Sequence, residues 1–290
     1  MLFSIIKMRK VAIVTGANRG IGLAIVRQLC KQFNGDVYLT SRMRDTGKEA
    51  VEQLKQEGLD PRFHELDISQ PDSIRMFQEF ISTNYGGIDL LVNNAGVSFG
   101  NEKVPVFRQA QLCYEVDFMG TLNMCKIFLH LLRPHARVVN LTNSYIAKKS
   151  ALGEHAQKKF DLAQMTLNDL WLIMDNYLKM VKTGTQVSNG LPESPKQMAN
   201  IAIVAMTKIL ARDIKSDSRR NILINACCPG WTKSGGSDHF IGKNGYCTDA
   251  DLQSADTAAS NVVWVASIKP GQSSPNGEVV KNRQIISCDF

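Results

Sequence analysis

The chain reads as an α/β protein with a doubly wound parallel sheet in a single domain, and three observations predict it. Short β-branched runs alternate with helical spacing along the chain, the rhythm of parallel strands joined by crossover helices. The first run ends in a glycine-rich turn that leads straight into a helical pattern, Val11-Ala-Ile-Val-Thr-Gly-Ala-Asn-Arg-Gly-Ile-Gly22. Two further segments, Leu66-Asp67-Ile68 and Leu91-Val-Asn-Asn-Ala-Gly96, follow predicted strands directly. That is the end of an open α/β sheet where ligands bind.

Each element follows from local pattern. Val11–Thr15 is a buried strand and Ile21–Gln32 a helix; Val37–Ser41 is the second strand, with a helix over Gly47–Glu57. Arg62–Leu66 is the third strand. Pro71 suits the first turn of a helix running to about Tyr85. Asp89–Asn93 is the fourth strand, followed by one long helix near Gln109–Leu132 and a fifth strand at Arg137–Thr142. Ile201–Ala211 is an apolar helix, and Ile222–Cys227 a sixth strand. Residues 145–195 interrupt the rhythm as a helical insertion, helical over Ala163–Lys182 and a Gly/Ser/Pro-rich loop over Thr183–Pro195. Trp171, Met174 and Met180 give that insertion an apolar packing face. With no repeat, linker or composition shift, residues 1–290 read as one domain.

Composition narrows the function classes. At 44% hydrophobic and 21% charged residues the chain is an ordinary globular protein. The net charge of +7 suits an anionic ligand. The basic residues are scattered rather than blocked, which argues against nucleic acid. Cysteines 30, 113, 125, 227, 228, 247 and 288 show no metal-like spacing and read as reduced thiols. The apolar run in Met1–Lys10 is too short for a signal peptide, and no stretch has membrane length. A cytoplasmic location without membrane contact is the expectation. Five dispersed histidines predict no metal site.

The strand–turn–helix at Thr15–Gly22 is an anion site in outline, because backbone N–H groups and the helix dipole face a phosphate there. Gly16, Gly20 and Gly22 allow positive φ or a close approach to a pyrophosphate. Their spacing is G-x-x-x-G-x-G, not G-x-G-x-x-G. Together with Asp67-Ile68, Asn93–Gly96, Val138-Val-Asn140 and Asn225-Ala-Cys-Cys-Pro-Gly-Trp231, this turn resembles the short-chain dehydrogenase/reductase family, and within it the carbonyl reductases. The resemblance covers nearly the whole chain, insertion included. It implies a Rossmann-type fold with a dinucleotide held by Gly16, Asn18, Arg19, Gly20, Ile21 and Gly22. It further implies Asp67 and Ile68 beside the adenine, Asn94, Ala95 and Gly96 on the nicotinamide side, and Pro229, Gly230 and Trp231 closing the site. Thr40-Ser-Arg42 stands where an NAD-preferring protein carries a carboxylate, and Arg42 can pair with a 2′-phosphate, so NADP(H) is the expected cofactor. In the related reductases the insertion covers a surface that other members use to oligomerise, which implies a monomer.

The proton-transfer half departs from the family pattern. The resemblance calls for an asparagine, a serine, a tyrosine and, four residues after the tyrosine, a lysine. The corresponding positions carry Asp117, Asn143, Lys196 and Asn200. No tyrosine lies between Tyr177 and Tyr246, so no shift of register supplies one. Tyr145-Ile-Ala-Lys-Lys149 matches the spacing but follows the fifth strand immediately, on the wrong side of the insertion. The expectation is an NADP(H)-binding pseudoenzyme with weak or no standard carbonyl reduction, acting as a cofactor-gated partner of a protein whose identity the sequence leaves open. The alternative is a working NADPH-dependent reductase of small-molecule ketones, aldehydes or quinones, with Lys196 or Ser144 as a rearranged acid. Asp117 would be a costly buried carboxylate unless paired, and Lys196 is a candidate partner.

Overall fold

The computed structural model describes residues 9–99, 103–145, 147–232 and 252–290. Its strands are β1 (Lys10–Val14), β2 (Gly35–Ser41), β3 (Arg62–Glu65), β4 (Ile88–Asn93), β5 (Leu132–Leu141), β6 (Leu223–Cys227), β7 (Val279–Lys281) and β8 (Gln284–Ile286). They form one sheet in the order β3-β2-β1-β4-β5-β6-β7-β8, parallel except for the β7–β8 pair. Chain direction across the sheet reverses between β1 and β4. The crevice outside their carboxyl ends is therefore the ligand position of such a sheet.

Both faces of the sheet are covered, which is why its central strands read as unbroken apolar runs. In β1, Val11 and Ile13 enter one core while Ala12 and Val14 enter the other, as side-chain alternation requires. Helices α1 (Gly20–Gln32), α2 (Arg44–Gln56) and α9 (Ala255–Ala266) cover the second face. Helices α3 (Pro71–Tyr85), α5 (Thr121–Phe128) and α8 (Pro195–Asp213) cover the first.

The helix expected near Gln109–Leu132 is composite. It comprises α4 (Val106–Leu112), a π-helical stretch Cys113–Gly120 and α5, and gives way to a short 3₁₀ turn and then β5 at Leu132. The wider π turn, a feature that often marks functional sites, carries Asp117. The insertion between β5 and α8 contains α6 (Glu154–Lys159) and α7 (Leu167–Thr183). Helix α7 begins later than the expected Ala163, because Thr166 and Asp169 form a capping box that fixes its start. Its buried stripe is Leu170, Met174, Tyr177 and Val181, with Trp171 packed alongside; Met180 stays off that stripe. Removing the cap with Thr166→Ala is expected to cost about 1 kcal/mol, read as a lower midpoint in urea denaturation with an unchanged slope.

Candidate functional site

The glycine turn is built to meet an anion. Gly16 has φ +60° and Gly20 φ +57°, both in the left-handed region. A Cβ on Gly16 would lie 2.7 Å from Ala95 Cα, and one on Gly22 would lie 2.5 Å from Asn94 Nδ2. Substitution at either would push β1's turn off the loop after β4. Thr15 Oγ1 accepts hydrogen bonds from the backbone N–H groups of Asn94 and Ala95, each at 3.0 Å. The Asn94 amide donates to the carbonyls of Thr15 (2.8 Å) and Gly16 (3.0 Å). Thr15 lies inside the motif, yet its role as the buckle between the two loops was not assigned from sequence. Helix α1 starts with no side-chain cap and no acidic residue in its first turn, so its leading N–H groups remain available to an anion.

The charges around this turn are of one sign. Arg19 and Arg42 are exposed, and neither pairs with a carboxylate among the described residues. Asn18 donates to Thr46 Oγ1 at 3.2 Å, which fixes the turn against the start of α2. Asp67 is occupied locally, with Oδ1 accepting from Ser69 N–H (2.9 Å) and Ser69 Oγ (2.7 Å). Ile68 is buried against Gly120, where a Cβ would lie 2.8 Å from its side chain. The cradle of N–H groups, close-packed glycines and unpaired guanidiniums fits a phosphorylated dinucleotide.

A cavity of about 320 Å³ opens from this turn. Ile21, Asn94, Ala95 and Gly96 bound one side and Pro229, Gly230 and Trp231 the other, with Asp117, Asn143, Lys196 and Asn200 also on its lining. Lys196 Nζ lies 2.7 Å from Asp117 Oδ2 and donates to the Val97 carbonyl at 2.8 Å. Asp117 Oδ1 accepts from Val97 N–H at 2.8 Å. One ion pair thus grips both polar groups of a single peptide residue in the loop after β4. The pair is lopsided: the Asp117 side chain is 3% exposed and that of Lys196 30%. Burial alone would lower the ammonium's pKa, but the Asp117 carboxylate outweighs it and holds Lys196 above the usual lysine range. The pair's contribution to stability is complete below the ordinary lysine range and is lost as pH rises through the higher folded-state value. An alkaline denaturation series should show that loss in the wild type and not in an Asp117→Asn/Lys196→Met variant. Burial, with Asp117 alongside, likewise pushes the Cys113 thiol up.

Asn200 is buried and engaged at both ends of its amide. Its Oδ1 accepts from Asn143 N–H (2.7 Å) and Thr142 Oγ1 (3.1 Å), and its Nδ2 donates to the Lys196 carbonyl (2.7 Å). Helix α8 brings Lys196 and Asn200 together because Pro195 occupies its first turn and Ser194 caps it through Gln197 N–H at 3.3 Å. The two residues, one turn apart, face β5 and the cavity. Asn143 Oδ1 accepts from Tyr145 N–H at 3.0 Å, which leaves its NH₂ group turned to other partners.

Ser144 is buried and is not among the residues lining the cavity, whereas Leu141, Thr142 and Asn143 are. Tyr145 and Lys149 do not meet as a pair. Tyr145 stacks on Trp231 with ring centroids 5.5 Å apart and accepts from Lys281 Nζ at 2.5 Å. Lys149 instead donates to the Phe160 carbonyl at 3.1 Å. Cys227 and Cys228 are buried free thiols; Cys247 lies outside the described residues. No helix among the described residues is long and apolar enough to cross a membrane.

Comparison with known proteins agrees with this geometry. A family model described as short chain dehydrogenase matches residues 10–155. The chain is 39% identical over 281 residues to carbonyl reductase (NADPH) 1 of Rattus norvegicus, covering 96% of this chain and 98% of the relative. It is 37% identical over 279 residues to carbonyl reductase (NADPH) 3 of Homo sapiens, covering 95% and 97%. Among solved structures, salutaridine reductase from Papaver somniferum superposes with a TM-score of 0.80 at 25% identity, over 93% of this chain and 99% of the other. On a matched fold, a matched family model and relatives aligned over nearly their full length, the chain belongs to the short-chain dehydrogenase family.

Proposed function

We propose that this chain is a carbonyl reductase-like protein that binds NADP(H) at the glycine turn and performs standard carbonyl reduction weakly or not at all. Gly16, Gly20 and Gly22 shape the phosphate cradle, while Arg19 and Arg42 supply cations suited to a 2′-phosphate. The names of the relatives, carbonyl reductase (NADPH) 1 and 3, support this cofactor and a small-molecule ligand. The reading includes a monomer in the cytoplasm, with the insertion on the surface.

When bound, the dinucleotide supplies hydride; the proton for the developing alkoxide must come through the chain. The observation that carries the reading is the 2.7 Å Lys196–Asp117 pair. Lys196 has protons to give, but the pair holds it charged above the usual lysine range. Asn200 spends its amide on Thr142, Asn143 and the Lys196 carbonyl and brings no cation to lower an acid's pKa. General acid catalysis is worth about 10²–10⁴ in rate, and its loss leaves proximity as the main source of acceleration.

Thermal-shift titration tests the reading beside a turnover assay on the same preparation. NADPH should raise the melting temperature saturably and more than NADH does. NADPH consumption with quinones, diketones and aromatic aldehydes should stay at the no-protein rate. Turnover well above that rate overturns the reading in favour of Lys196 as the acid, whose partial exposure in the cavity allows it. In that case Lys196→Met should abolish turnover while NADPH still binds.

A further inference from the structure

We propose that the cavity beside the glycine turn takes a small organic carboxylate with a planar apolar body, gripped by the Lys196 ammonium and the Asn143 amide. The proposal rests on the reading above in one respect: nothing at this position hands a proton to the ligand.

Hydrogen bonding within the site decides which polar atoms are left to face a ligand. Lys196 Nζ spends two donors, on Asp117 Oδ2 and on the Val97 carbonyl, and an ammonium has three. The Asn143 side chain must present its oxygen to Tyr145 N–H, since an amide nitrogen cannot accept; its NH₂ group is thereby the end left for a ligand. Asn200 bonds the Asn143 N–H through one end of its amide and the Lys196 carbonyl through the other. The two donor residues are therefore fixed neighbours on the same lining.

The lopsided ion pair sets the sign of the site. Asp117 is 3% exposed with both oxygens engaged, while Lys196 is 30% exposed. A ligand therefore meets more of the ammonium than of the carboxylate. Acceptor oxygens are favoured, and a ligand carrying two of them with a negative charge is favoured most. Val97, Leu141, Ile203 and Trp231 supply apolar wall around these donors. In a cavity of about 320 Å³ that also receives one end of the dinucleotide, the room left is that of a compact molecule. A carboxylate has no carbonyl that hydride readily reduces, so such a ligand is held and not consumed.

Isothermal titration calorimetry with benzoate, benzamide, benzyl alcohol and benzaldehyde on NADPH-saturated protein tests this. Benzoate should bind about tenfold or more tightly than the other three, since a hydrogen bond to a charged group is worth more than a neutral one. Asp117→Asn/Lys196→Met, which removes both charges and leaves neither buried alone, should lower benzoate affinity about tenfold. Asn143→Ala should lower it severalfold, and Thr166→Ala should leave it alone. The NADPH-induced melting shift of each variant reports whether it is folded. If benzamide or benzaldehyde binds as tightly as benzoate, or if neither site variant weakens benzoate, the carboxylate proposal falls while NADPH binding stands. If NADPH itself gives no shift in the wild type, the function proposed above falls, and the same benzoate selectivity is then required of the free chain.

Discussion

Lys196→Tyr alone is expected to lower the stability of the chain by about 3–5 kcal/mol, and adding Asp117→Asn is expected to return most of it. Asp117 is 3% exposed, and its Oδ2 loses a 2.7 Å charged partner when the ammonium goes. A buried carboxylate without a counter-ion is far more costly than an amide of the same shape. The tyrosine hydroxyl can return a hydrogen bond but no charge. The loss should also loosen the loop after β4, because Val97 is held through both its N–H and its carbonyl by this pair.

This coupling governs any attempt to install reductase activity. Asn143→Ser, Lys196→Tyr and Asn200→Lys together should stay near the no-protein rate while Asp117 remains. The four-residue set that includes Asp117→Asn should reduce a quinone with NADPH at least about 10²-fold faster than the wild type, the lower end of what a general acid contributes. Urea denaturation and NADPH consumption, measured on the same set of variants, check both halves. A Lys196→Tyr chain as stable as the wild type would show that Asp117 does not need its partner. Equal activity with and without Asp117→Asn would break the link between the pair and the chemistry.

The doubly wound sheet was legible because burial on both faces forces unbroken apolar strands, and Val11–Thr15 or Asp89–Asn93 cannot easily be read otherwise. The C-terminal region was not. Helix α9 is capped by Ser254, whose side chain accepts from Thr257 N–H at 3.1 Å, a cap visible as Ser-Ala-Asp-Thr once it is sought. The β7–β8 hairpin turns on Asn282 and Arg283, with φ +50° and +62°. Such turns usually announce themselves as Asn-Gly. An arginine in the second position hides this one, and strands of three residues carry too little alternation to show a period.

At the site, resemblance to the family pattern picked out Asp117, Asn143, Lys196 and Asn200, and all four line one cavity. It could not reach what these residues do to one another. The grip on Val97 depends on backbone groups, which every residue type shares. The position of Asp117 depends on a π turn, which no residue pattern in Cys113–Gly120 announces. Ser144 stands one residue past Asn143, where the chain has left β5 and entered a turn, and only Asn143 of the two lines the cavity.

The second large effect lies away from the cavity, where Arg137→Met is expected to destabilise the chain by about 3–5 kcal/mol. Arg137 is 4% exposed and pairs with no carboxylate among the described residues. Its guanidinium donates to the carbonyls of Ile268 (3.0 Å), His135 (3.1 Å), Ala136 (3.1 Å), Asn221 (2.6 Å) and Lys269 (3.1 Å), and to Asn221 Oδ1 (3.1 Å). Burial lowers its pKa, yet a guanidinium starts so high that it stays charged. One side chain thereby satisfies orphan carbonyls at the end of α9, the start of β5 and the turn before β6. It also braces His135 and Asn221, which hold left-handed φ values of +66° and +58° that a side-chain-bearing residue adopts at a cost. Methionine fills the volume and satisfies none of these acceptors. Arg137→Lys should recover only part of the loss, because an ammonium keeps the charge but lacks the planar fork that reaches several carbonyls at once. Equilibrium urea unfolding of the two variants separates these contributions: a Met variant within about 1 kcal/mol of the wild type would mean that water replaces the guanidinium at these carbonyls, and a Lys variant equal to the wild type would mean that charge matters and geometry does not.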